Sequence, residues 1–457
     1  MNLEGKKVLV VGLARSGVAA ARLLARHGAR VTANDAKPES DISDEARELS
    51  GIGITLSLGN HPQELFTESD LIVVSPGVPS DIAPLQSARR AGVKIISETE
   101  LAFRFLKGQL IAITGSNGKT TTTTLIGELM KAAGAETLVG GNIGTAMTSL
   151  VDQSTKDSWL VAELSSFQLE TIESLRPRVA VVTNITPDHL DRHGSFENYI
   201  RAKHRLLINQ TAEDWAVLNG EDGGVSRMVA LGIASQKVFF SAKGLSYQPC
   251  SVFARDRKIF TTLLGSETQV IAFDDIPLPG MHNVENVCAA LGAVFCALGR
   301  AASLTAMREA IRRFKGVEHR IEFVAEIDGV KFYNDSKATN VDSTVKALEA
   351  FAGNIILILG GKDKGGDFTA LDSLIRERVK QVILIGAASD KIASQLAGPM
   401  VRAASMRDAV MKSREVASSG DIVLLAPACA SFDMFDNYEH RGRVFKEEVR
   451  NLTDDQN

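Results

Sequence analysis

The sequence is poor in cysteine and contains neither a long apolar run nor a strong excess of charge. Its four cysteines, Cys250, Cys288, Cys296 and Cys429, show no spacing typical of a metal site or a disulfide framework, which fits buried thiols in a reducing compartment. The longest apolar runs are far shorter than the roughly 20 residues that cross a bilayer. Near the N-terminus the strand-like VLVVG replaces the cleavable segment of a signal peptide. We therefore expect a cytoplasmic protein that does not enter a membrane.

The charge balance gives no reason to expect a nucleic-acid partner. The formal net charge is −4, which attracts neither nucleic acid nor an acidic membrane surface. The chain has 457 residues, of which 44% are hydrophobic, so it can bury large cores. Its length predicts about two to four domains. Neither a repeat of short fixed period nor a low-complexity linker interrupts the pattern.

Short apolar runs alternate with helical periodicity in three blocks, which predicts α/β layers with largely parallel sheets. We expect a Rossmann-like N-terminal domain at residues 1–97 and a central P-loop ATPase-like, mononucleotide-binding domain at 98–316. A Rossmann-like C-terminal domain is expected at 317–457. The strands of that third block are predicted at 355–360, 382–386 and 422–426.

The central block contains an apolar strand that runs into a glycine-rich loop and then directly into a helix, over residues 111–130. In this loop Gly115 and Gly118 let backbone N–H groups crowd around phosphate oxygens, and the helix N-terminus adds partial positive charge. Lys119 supplies a full positive charge, and the Thr120 hydroxyl suits Mg²⁺. An ordinary glycine turn would explain the glycines but not the Lys-Thr pair. We therefore expect a phosphate-binding loop.

The first block also contains a glycine turn after its opening strand. Residues 12–17 read GLARSG, in which Ala14 replaces the middle glycine of the dinucleotide fingerprint, and Asp35 lies where a ribose-binding acid is expected. Residues 75–79 form a rigid SPGVP loop after another strand. NAD, a different nucleotide diphosphate and a packing turn without a ligand are all compatible with these residues.

Carboxylates and imidazoles follow two further strands of the central block. Glu163 ends the strand that begins at 159, where a carboxylate is better placed at a sheet edge beside phosphates than in a core. It is a candidate to complete an Mg²⁺ site with Thr120. The polar loop 183–193 gathers Asp188, His189, Asp191 and His193, although polar residues are expected after any strand.

Together these motifs resemble the Mur ligase family, whose members use ATP to add amino acids to the peptidoglycan precursor. The matching segments span nearly the whole chain in the family's order: GSNGKT at 115–120, GNIG at 141–144, ELSSFQL at 163–169, TNITPDHLDR at 183–192, HNVEN at 282–286, HR at 319–320, NDSKATN at 334–340 and PACASFD at 427–433. The loop, ELSSFQL and PACASFD most resemble the members that add D-glutamate.

The resemblance implies an ATP-dependent ligase that adds D-glutamate to UDP-N-acetylmuramoyl-L-alanine through an acyl phosphate. It implies a cytoplasmic monomer whose third domain closes over ATP, so that residues of all three domains converge. Because the resemblance implies a first domain that binds a UDP-linked substrate, it argues against NAD as the ligand of that domain. A family ligase for a different amino acid, including a folate-type polyglutamylating enzyme, and an inactive nucleotide sensor are the alternatives.

The resemblance also implies residue roles. The implied ATP site comprises Gly115, Ser116, Asn117, Gly118, Lys119, Thr120, Thr121, Asn286, Arg320 and Asp335. The implied UDP-substrate site comprises Arg15, Ser16, Asp35, Ser75, Pro76, Gly77, Asn142 and His189. The implied D-glutamate site comprises Lys337, Thr339, Lys364, Ser431 and Tyr438, with Lys362 as the alternative to Lys364.

Two Mg²⁺ ions and a modified lysine complete the implied chemistry. The implied metal ligands are Thr120, Glu163, His189 and Lys203, and the implied catalytic residues are Lys119, Glu163, His189 and Lys203. Read without the family, Lys203 is one cation on a basic surface helix. In the family it is carbamylated, which would make it an anionic oxygen ligand that Mg²⁺ accepts.

Overall fold

The computed structural model describes residues 1–79, 81–142, 144–244, 251–363 and 365–454, so Cys250 and Lys364 lie outside the described residues. The chain divides into two compact units. The first comprises Met1–Phe273 and Glu285–Ile311, and the second comprises Asp274–Val284 and Arg312–Asn457. The first unit contains two sheets, and the second contains one.

The first sheet has five parallel strands in the order β3-β2-β1-β4-β5. Its strands are β1 (Lys7–Val11), β2 (Arg30–Asp35), β3 (Thr55–Leu58), β4 (Leu71–Val74) and β5 (Lys94–Ser97). The helices of this region are α1 (Arg15–Arg26), α2 (Asp44–Arg47), α3 (Gln63–Thr67), α4 (Ala83–Arg90) and α5 (Glu98–Phe105). Strand β4 is buried along its whole length, as expected for a parallel strand covered on both faces.

The second sheet has nine strands in the order β14-β13-β12-β11-β10-β9-β6-β8-β7. Its strands are β6 (Gln109–Thr114), β7 (Thr137–Gly141), β8 (Trp159–Glu163), β9 (Val179–Val182), β10 (Trp215–Asn219), β11 (Gln236–Ser241), β12 (Ser251–Arg255), β13 (Lys258–Thr261) and β14 (Thr268–Ala272). Among the strands of this sheet that the structure describes, β12, β13 and β14 alone pair antiparallel, at one edge. The phosphate-loop strand β6 therefore lies among parallel neighbours, β8 and β9.

Helices connect the strands of this central region. They are α6 (Lys119–Ala132), α7 (Met147–Leu150), α8 (Ser166–Leu169), α9 (Leu190–His193), α10 (Phe196–His204) and α11 (Gly223–Val229). Two later helices, α12 (Met281–Leu298) and α13 (Leu304–Arg313), each include residues of both units. Helix α6 is followed by Gly134 with φ +84°, a left-handed residue of the kind that commonly ends a helix.

The third sheet, in the second unit, has six strands in the order β15-β16-β20-β17-β18-β19. Its strands are β15 (Glu322–Ile327), β16 (Val330–Asn334), β17 (Ile355–Gly360), β18 (Val379–Ile385), β19 (Met400–Ala403) and β20 (Ile422–Leu425). Its helices are α14 (Val341–Glu349), α15 (Asp372–Arg378), α16 (Ser389–Gln395), α17 (Met406–Val416) and α18 (Tyr438–Asp454). The hairpin of β15 and β16 is antiparallel, and the other pairs are parallel. The prediction of α/β layers with largely parallel sheets is confirmed.

A continuous apolar core explains why the first two sheets belong to one unit. The core includes Leu101 of α5 and Met147 of α7, together with residues of both sheets. Beside it, the buried Glu100 carboxylate accepts hydrogen bonds from the backbone N–H groups of Glu173 (3.0 Å) and Leu175 (2.9 Å). A buried carboxylate satisfied in this way joins α5 to the segment between α8 and β9.

One segment of the described residues, Met281–Ala301, is long and apolar enough to cross a bilayer by length and composition alone. Its most apolar window has a mean hydropathy of 1.4, and 61% of that window is buried inside the protein. Buried core helices have the same composition, so this segment is weak support for a membrane span.

Close packing of α1 on the first sheet predicts that Gly17→Ala destabilises the protein. A β-carbon at Gly17 would overlap the carbonyl oxygen of Gly12, and backbone cannot move aside as a flexible side chain would. We expect a loss of roughly 1–3 kcal/mol, seen as a melting temperature lower by several degrees. Gly51→Ala is the control, because a β-carbon there meets no atom within 4 Å. Equal melting temperatures for the two variants would contradict this packing.

Candidate nucleotide-binding site

Two glycines shape the loop between β6 and α6. Gly115 has φ +150° and Gly118 has φ +80°, both in the region that favours glycine. A β-carbon at Gly115 would overlap the Thr183 hydroxyl, and one at Gly118 would overlap the Asn286 side-chain oxygen. Asn286 is itself fixed, since its oxygen accepts a hydrogen bond from the Thr122 hydroxyl at 3.2 Å. Glycine at these two positions therefore permits a backbone shape and a close packing that other residues would oppose.

The segment after β9 holds this loop in place through hydrogen bonds. The Ser116 amide donates to the Asn184 carbonyl oxygen at 2.8 Å, and the Ser116 hydroxyl donates to the Thr186 carbonyl at 2.9 Å. The Asn117 amide donates to the Asn184 side-chain oxygen at 2.8 Å. Lys119 lies over the loop, where its Nζ donates to the carbonyl oxygens of Gly115 and Ser116, both at 2.9 Å. A lysine held above a glycine loop at a helix N-terminus is positioned to meet an anion.

A buried carboxylate lies next to the loop. Glu163 is 1% exposed, and its Oε2 accepts a hydrogen bond from the Thr120 hydroxyl at 2.8 Å. Its Oε1 accepts from the Asn142 side-chain amide at 2.9 Å. Thr120 lies in the first turn of α6, Glu163 ends β8 and Asn142 follows β7, so three neighbouring connections meet at one carboxylate. The adjacent hydroxyl and carboxylate oxygens are hard donors of the kind that Mg²⁺ prefers, so these residues fit that ion.

Lys203 on α10 is buried, with 1% of its surface exposed. Its Nζ donates to the Gly115 carbonyl oxygen at 2.7 Å and lies 4.5 Å from the centre of the Tyr199 ring. Burial, and secondarily the charge of Lys119, hold the pKa of Lys203 well below its usual range, against the opposing effect of nearby carboxylates. The interpretation of Lys203 as a surface cation is therefore wrong. Its helix directs it under the phosphate loop.

His189 lies at the start of α9 with a left-handed backbone, φ 52° and ψ 34°. This conformation is uncommon for residues other than glycine, and it occurs often at functional sites. The His189 Nε2 is 3.6 Å from the Asp188 carboxylate, and its ring meets the Phe167 ring edge-on with centroids 4.9 Å apart. The side chain is 45% exposed, so it remains accessible.

The predicted UDP-substrate residues lie around the carboxyl ends of β1, β2 and β4. The Asp35 carboxylate accepts the backbone N–H of Leu13 at 2.7 Å and that of Lys37 at 2.9 Å. The Ser75 hydroxyl donates to the Gly12 carbonyl at 2.8 Å. Ser16 lies in the first turn of α1, and Pro76 and Gly77 follow β4. Asp35 therefore holds the glycine turn in shape.

A contact of Arg15 links this region to the loop after β7 in the central sheet. The Arg15 guanidinium Nη2 approaches the Asn142 carbonyl oxygen at 3.5 Å. Asn142 also donates to Glu163, as described above. Residues predicted for the UDP substrate and for the metal are thus brought together within the first unit.

In the second unit, Arg320 and Asp335 belong to the predicted ATP site. Asp335 follows β16 and is 2% exposed. Burial raises the pKa of Asp335 to about 6, although the Arg320 charge opposes this. Asp335 Oδ1 and Arg320 Nε are buried atoms without a hydrogen-bond partner among the described residues. Buried polar atoms of this kind require an explanation, and ligand binding is one.

The predicted amino-acid residues of the second unit follow three strands: Lys337 and Thr339 follow β16, Lys362 follows β17 and Ser431 follows β20, while Tyr438 begins α18. Lys337 Nζ is 5.4 Å from the centre of the Tyr438 ring, and the Thr339 amide donates to the Lys337 carbonyl at 2.8 Å. Ser431 is 2% exposed. The exposed Lys362 is held by its backbone, whose amide donates to the Ala430 carbonyl at 2.8 Å. Lys364 lies outside the described residues.

Arg441 joins the loops after β16 and β20, and the sequence did not single it out as a site residue. It is 1% exposed, and its guanidinium donates to the Ser336 hydroxyl (2.9 Å) and carbonyl (2.8 Å) and to the Cys429 carbonyl (3.2 Å). Burial lowers the pKa of Arg441 to about 10, so it stays charged near neutral pH. An arginine on a helix is expected to face solvent, so composition and periodicity gave no reason to select Arg441.

The site in the first unit defines a class of protein. A strand, a glycine loop and a helix N-terminus, with a lysine above the loop and a hydroxyl beside a buried carboxylate, form a phosphate-loop nucleotide-binding site.

The family profiles name the group more closely. Residues 6–97 match the profile described as Mur ligase MurD-like, N-terminal domain. Residues 113–294 match the Mur ligase middle domain, and residues 319–429 match the Mur ligase, glutamate ligase domain.

Curated relatives extend over the whole chain. A UDP-N-acetylmuramoylalanine--D-glutamate ligase from Koribacter versatilis is 48% identical over 457 residues, covering 99% of each chain. A protein of the same name from Acidobacterium capsulatum is 51% identical over 452 residues, covering 98% of this chain and 97% of the relative. The chain therefore belongs to the Mur ligase family.

Solved structures show the same fold at low sequence identity. A pseudomurein peptide ligase type C from Methanothermus fervidus has a TM-score of 0.62 at 20% identity, covering 98% of this chain and all of that one (100%). The UDP-N-acetylmuramate-alanine ligase MurC from Thermotoga maritima has a TM-score of 0.59 at 20% identity, with the same coverage of both chains, 98% and 100%. The MurF ligase from Thermotoga maritima, in complex with ADP, has a TM-score of 0.61 at 16% identity and covers 98% and 96%. The three-domain α/β fold expected from the sequence is confirmed, while the individual residue roles stay predictions.

The buried guanidinium predicts that Arg441→Met destabilises the second unit. Methionine keeps an apolar stem of similar length but leaves the carbonyls of Ser336 and Cys429 without a donor. We expect a loss of about 2 kcal/mol and faster proteolysis of the loops after β16 and β20. The matched control is Arg443→Met on the same helix, where the side chain is exposed. The assignment fails if both variants melt and are digested like the unmodified protein.

Proposed function

We propose that this protein is an ATP-dependent ligase that joins D-glutamate to UDP-N-acetylmuramoyl-L-alanine in peptidoglycan precursor synthesis. The observation that carries the proposal is the full-length identity of 48% and 51% to relatives named for this reaction. The phosphate loop with Lys119, Thr120 and Glu163 supports it, because ATP-driven ligation needs a site for the triphosphate.

ATP binds at the phosphate loop in this proposal. The backbone of Gly115, Ser116, Asn117 and Gly118 and the side chains of Lys119, Thr120 and Thr121 surround the phosphates. Asn286, which packs against Gly118, belongs to the same site. Arg320 and Asp335 contribute further nucleotide contacts, which would give their buried unpaired atoms a partner.

The UDP-linked substrate binds at the first sheet. The helix N-terminus behind the glycine turn carries Arg15 and Ser16, whose charge and hydroxyl suit a diphosphate. Asp35, Ser75, Pro76 and Gly77 complete the pocket in this proposal, and Asn142 and His189 contact the reacting end. The contact between Arg15 and Asn142 supports a substrate that extends from one region to the other.

D-glutamate binds at the loops held by Arg441. Lys337 and either Lys362 or Lys364 neutralise its carboxylates, and the hydroxyls of Thr339, Ser431 and Tyr438 orient it.

The reaction proceeds in two transfers. The carboxylate of the L-alanyl group attacks the γ-phosphorus of ATP, the bond to the β-γ bridging oxygen breaks, and ADP leaves. The D-glutamate amine then attacks the carbonyl carbon of the acyl phosphate and loses a proton, and the carbon–oxygen bond breaks to release phosphate. Lys119 stabilises the charge that develops on the transferred phosphoryl group. Water must be kept from the acyl phosphate, which would otherwise hydrolyse.

Two Mg²⁺ ions are part of the proposal. When bound they neutralise phosphate charge and orient the reacting oxygens. Thr120 and Glu163 would hold one ion, and His189 and Lys203 would hold the other.

Lys203 acts as a metal ligand only after carbamylation. Its uncharged amine attacks carbon dioxide, forms a carbon–nitrogen bond and releases a proton, which leaves an anionic carbamate. Burial and Lys119 lower the pKa of Lys203, so a larger fraction of the amine is uncharged. This supports carbamylation.

The proposal includes a monomeric protein that acts in the cytoplasm, where its nucleotide substrates are made. It also includes three domains with borders at 97/98 and 316/317.

The decisive experiment is phosphate release from ATP with UDP-N-acetylmuramoyl-L-alanine in the presence of Mg²⁺ and bicarbonate. We expect release with D-glutamate, and none with L-glutamate, L-alanine or a diamino acid. Lys119→Met should reduce turnover by about 100-fold or more, because the developing charge loses its cation. The matched control is Lys131→Met, on the exposed end of the same helix.

Phosphate release with a different amino acid would change the assigned amino-acid substrate and keep the assignment to a ligase of this family. If no amino acid causes phosphate release, the result would favour a nucleotide sensor and overturn the proposal. Unchanged turnover of Lys119→Met would contradict the assignment of the phosphate loop.

Carbamylation of Lys203 predicts a carbamate signal in the carbon-13 spectrum of protein equilibrated with ¹³C-bicarbonate. The signal should disappear in Lys203→Met, whose ligase activity should fall with it. It should persist in Lys131→Met, since that lysine is exposed and pairs with Glu128. A signal that survives in Lys203→Met would place the modification elsewhere, and an unmodified protein without any signal would refute it.

A further inference from the structure

Arg192 connects two segments of the first unit that lie 116 residues apart in sequence. Its guanidinium Nη1 donates to the carbonyl oxygen of Pro76 at 3.0 Å, and its Nη2 lies 3.4 Å from the Glu170 carboxylate. Pro76 belongs to the loop after β4, in the first sheet, whereas Arg192 belongs to α9 in the central region. One side chain therefore spans the N-terminal and central domains.

The same guanidinium packs on an aromatic ring. Its central carbon is 3.9 Å from the centroid of Phe167. Phe167 also meets His189 edge-on at 4.9 Å and stacks on His193 at 5.4 Å. Arg192 and His189 share one turn, since the Arg192 amide donates to the His189 carbonyl at 3.1 Å. Phe167 is thus a common support for the guanidinium and for His189.

The geometry suits arginine in particular. A planar guanidinium can donate in its plane while its face lies on an aromatic ring, which the ammonium of lysine cannot do. The Arg192 side chain is 24% exposed and Glu170 is 21% exposed, so the group is partly desolvated. Its bonds are therefore stronger and more directional than those of a surface ion pair. Pro76 offers no backbone N–H, so its carbonyl is the backbone group through which this residue can be held.

We propose that Arg192 is a positioning residue that holds the Ser75–Gly77 loop and the His189 turn at a fixed separation. This inference rests on the proposed function, which assigns the loop to the diphosphate of the UDP-linked substrate and His189 to its reacting end. A substrate bound at both places is then aligned only when the distance between them is fixed. Arg192 sets that distance without contributing to the reaction itself.

The contacts of Arg192 also predict which of the two nucleotide substrates binds more weakly when the guanidinium is removed. The phosphate loop is held by residues 183–186 and by Lys203, through contacts that do not involve Arg192. The affinity for ATP should therefore not depend on the guanidinium. The affinity for the UDP-linked substrate and the rate of the first transfer should depend on it.

The test compares Arg192→Met, Arg192→Lys and unmodified protein, all as full-length chains. For Arg192→Met we expect kcat/KM for UDP-N-acetylmuramoyl-L-alanine to fall by about 10- to 100-fold, while the KM for ATP stays within about twofold. Calorimetric titration with the UDP substrate alone should show a weaker Kd, whereas titration with ADP should be unchanged. Arg192→Lys should recover only part of the loss, because it restores charge without the planar fork.

The matched control is Arg255→Met. Arg255 also pairs with a carboxylate, Glu267, and lies 4.7 Å from an aromatic centroid, Phe260, but it belongs to the antiparallel edge of the second sheet. Its kinetics should equal those of the unmodified protein.

The outcomes separate the two proposals. If the unmodified protein is inactive, the proposed function is refuted. The positioning role of Arg192 is then tested by the calorimetric titration with the UDP substrate alone. An active protein in which Arg192→Met keeps its kcat/KM, or loses affinity for ADP as much as for the UDP substrate, would overturn the positioning role. If Arg192→Met fails to fold, Arg192→Lys decides: equal losses for both nucleotides refute the inference, and a loss confined to the UDP substrate supports it.

Discussion

The candidate site depends on one buried carboxylate. Glu163 is nearly inaccessible to solvent, yet both of its oxygens accept hydrogen bonds, from the Thr120 hydroxyl and from the Asn142 amide. The three residues belong to the connections after β6, β7 and β8, which are neighbours in one parallel sheet. Since parallel strands end at the same edge, one carboxylate can fix all three connections. A buried charge is tolerated only with such partners, so the loops and the carboxylate determine each other's positions.

Two lysine side chains converge on the same loop. The Gly115 carbonyl accepts hydrogen bonds from both Lys119 and Lys203, at 2.9 and 2.7 Å, so two amines converge on one oxygen. Burial makes their mutual repulsion costly, and it lowers the pKa of Lys203. A site that collects cations and helix N-terminal N–H groups in this way is arranged for a multiply charged anion.

In the second unit, a buried arginine rather than a buried carboxylate holds neighbouring loops together. Two of its loops, after β16 and β20, carry Lys337, Thr339 and Ser431 of the predicted amino-acid site, and Arg441 holds them by donating to the backbone of Ser336 and Cys429. A charged group satisfied entirely by hydroxyl and carbonyl oxygens rigidifies loops that have no regular hydrogen-bonding pattern of their own. Arg192 has a comparable place in the first unit, where one guanidinium joins a loop of the first sheet to the turn that carries His189.

The sequence by itself determined the parallel α/β architecture and the phosphate loop, because periodicity, glycine position and the Lys-Thr pair are local properties of the chain. It also placed Glu163 at a strand end, and strand ends gather at one edge. It was wrong about Lys203, which looked like a surface cation, and it gave no role to Arg441 or Arg192. The tertiary structure decided these, since burial and contacts between segments 88 to 116 residues apart follow from strand order and packing. Local patterns carry no information on such distances.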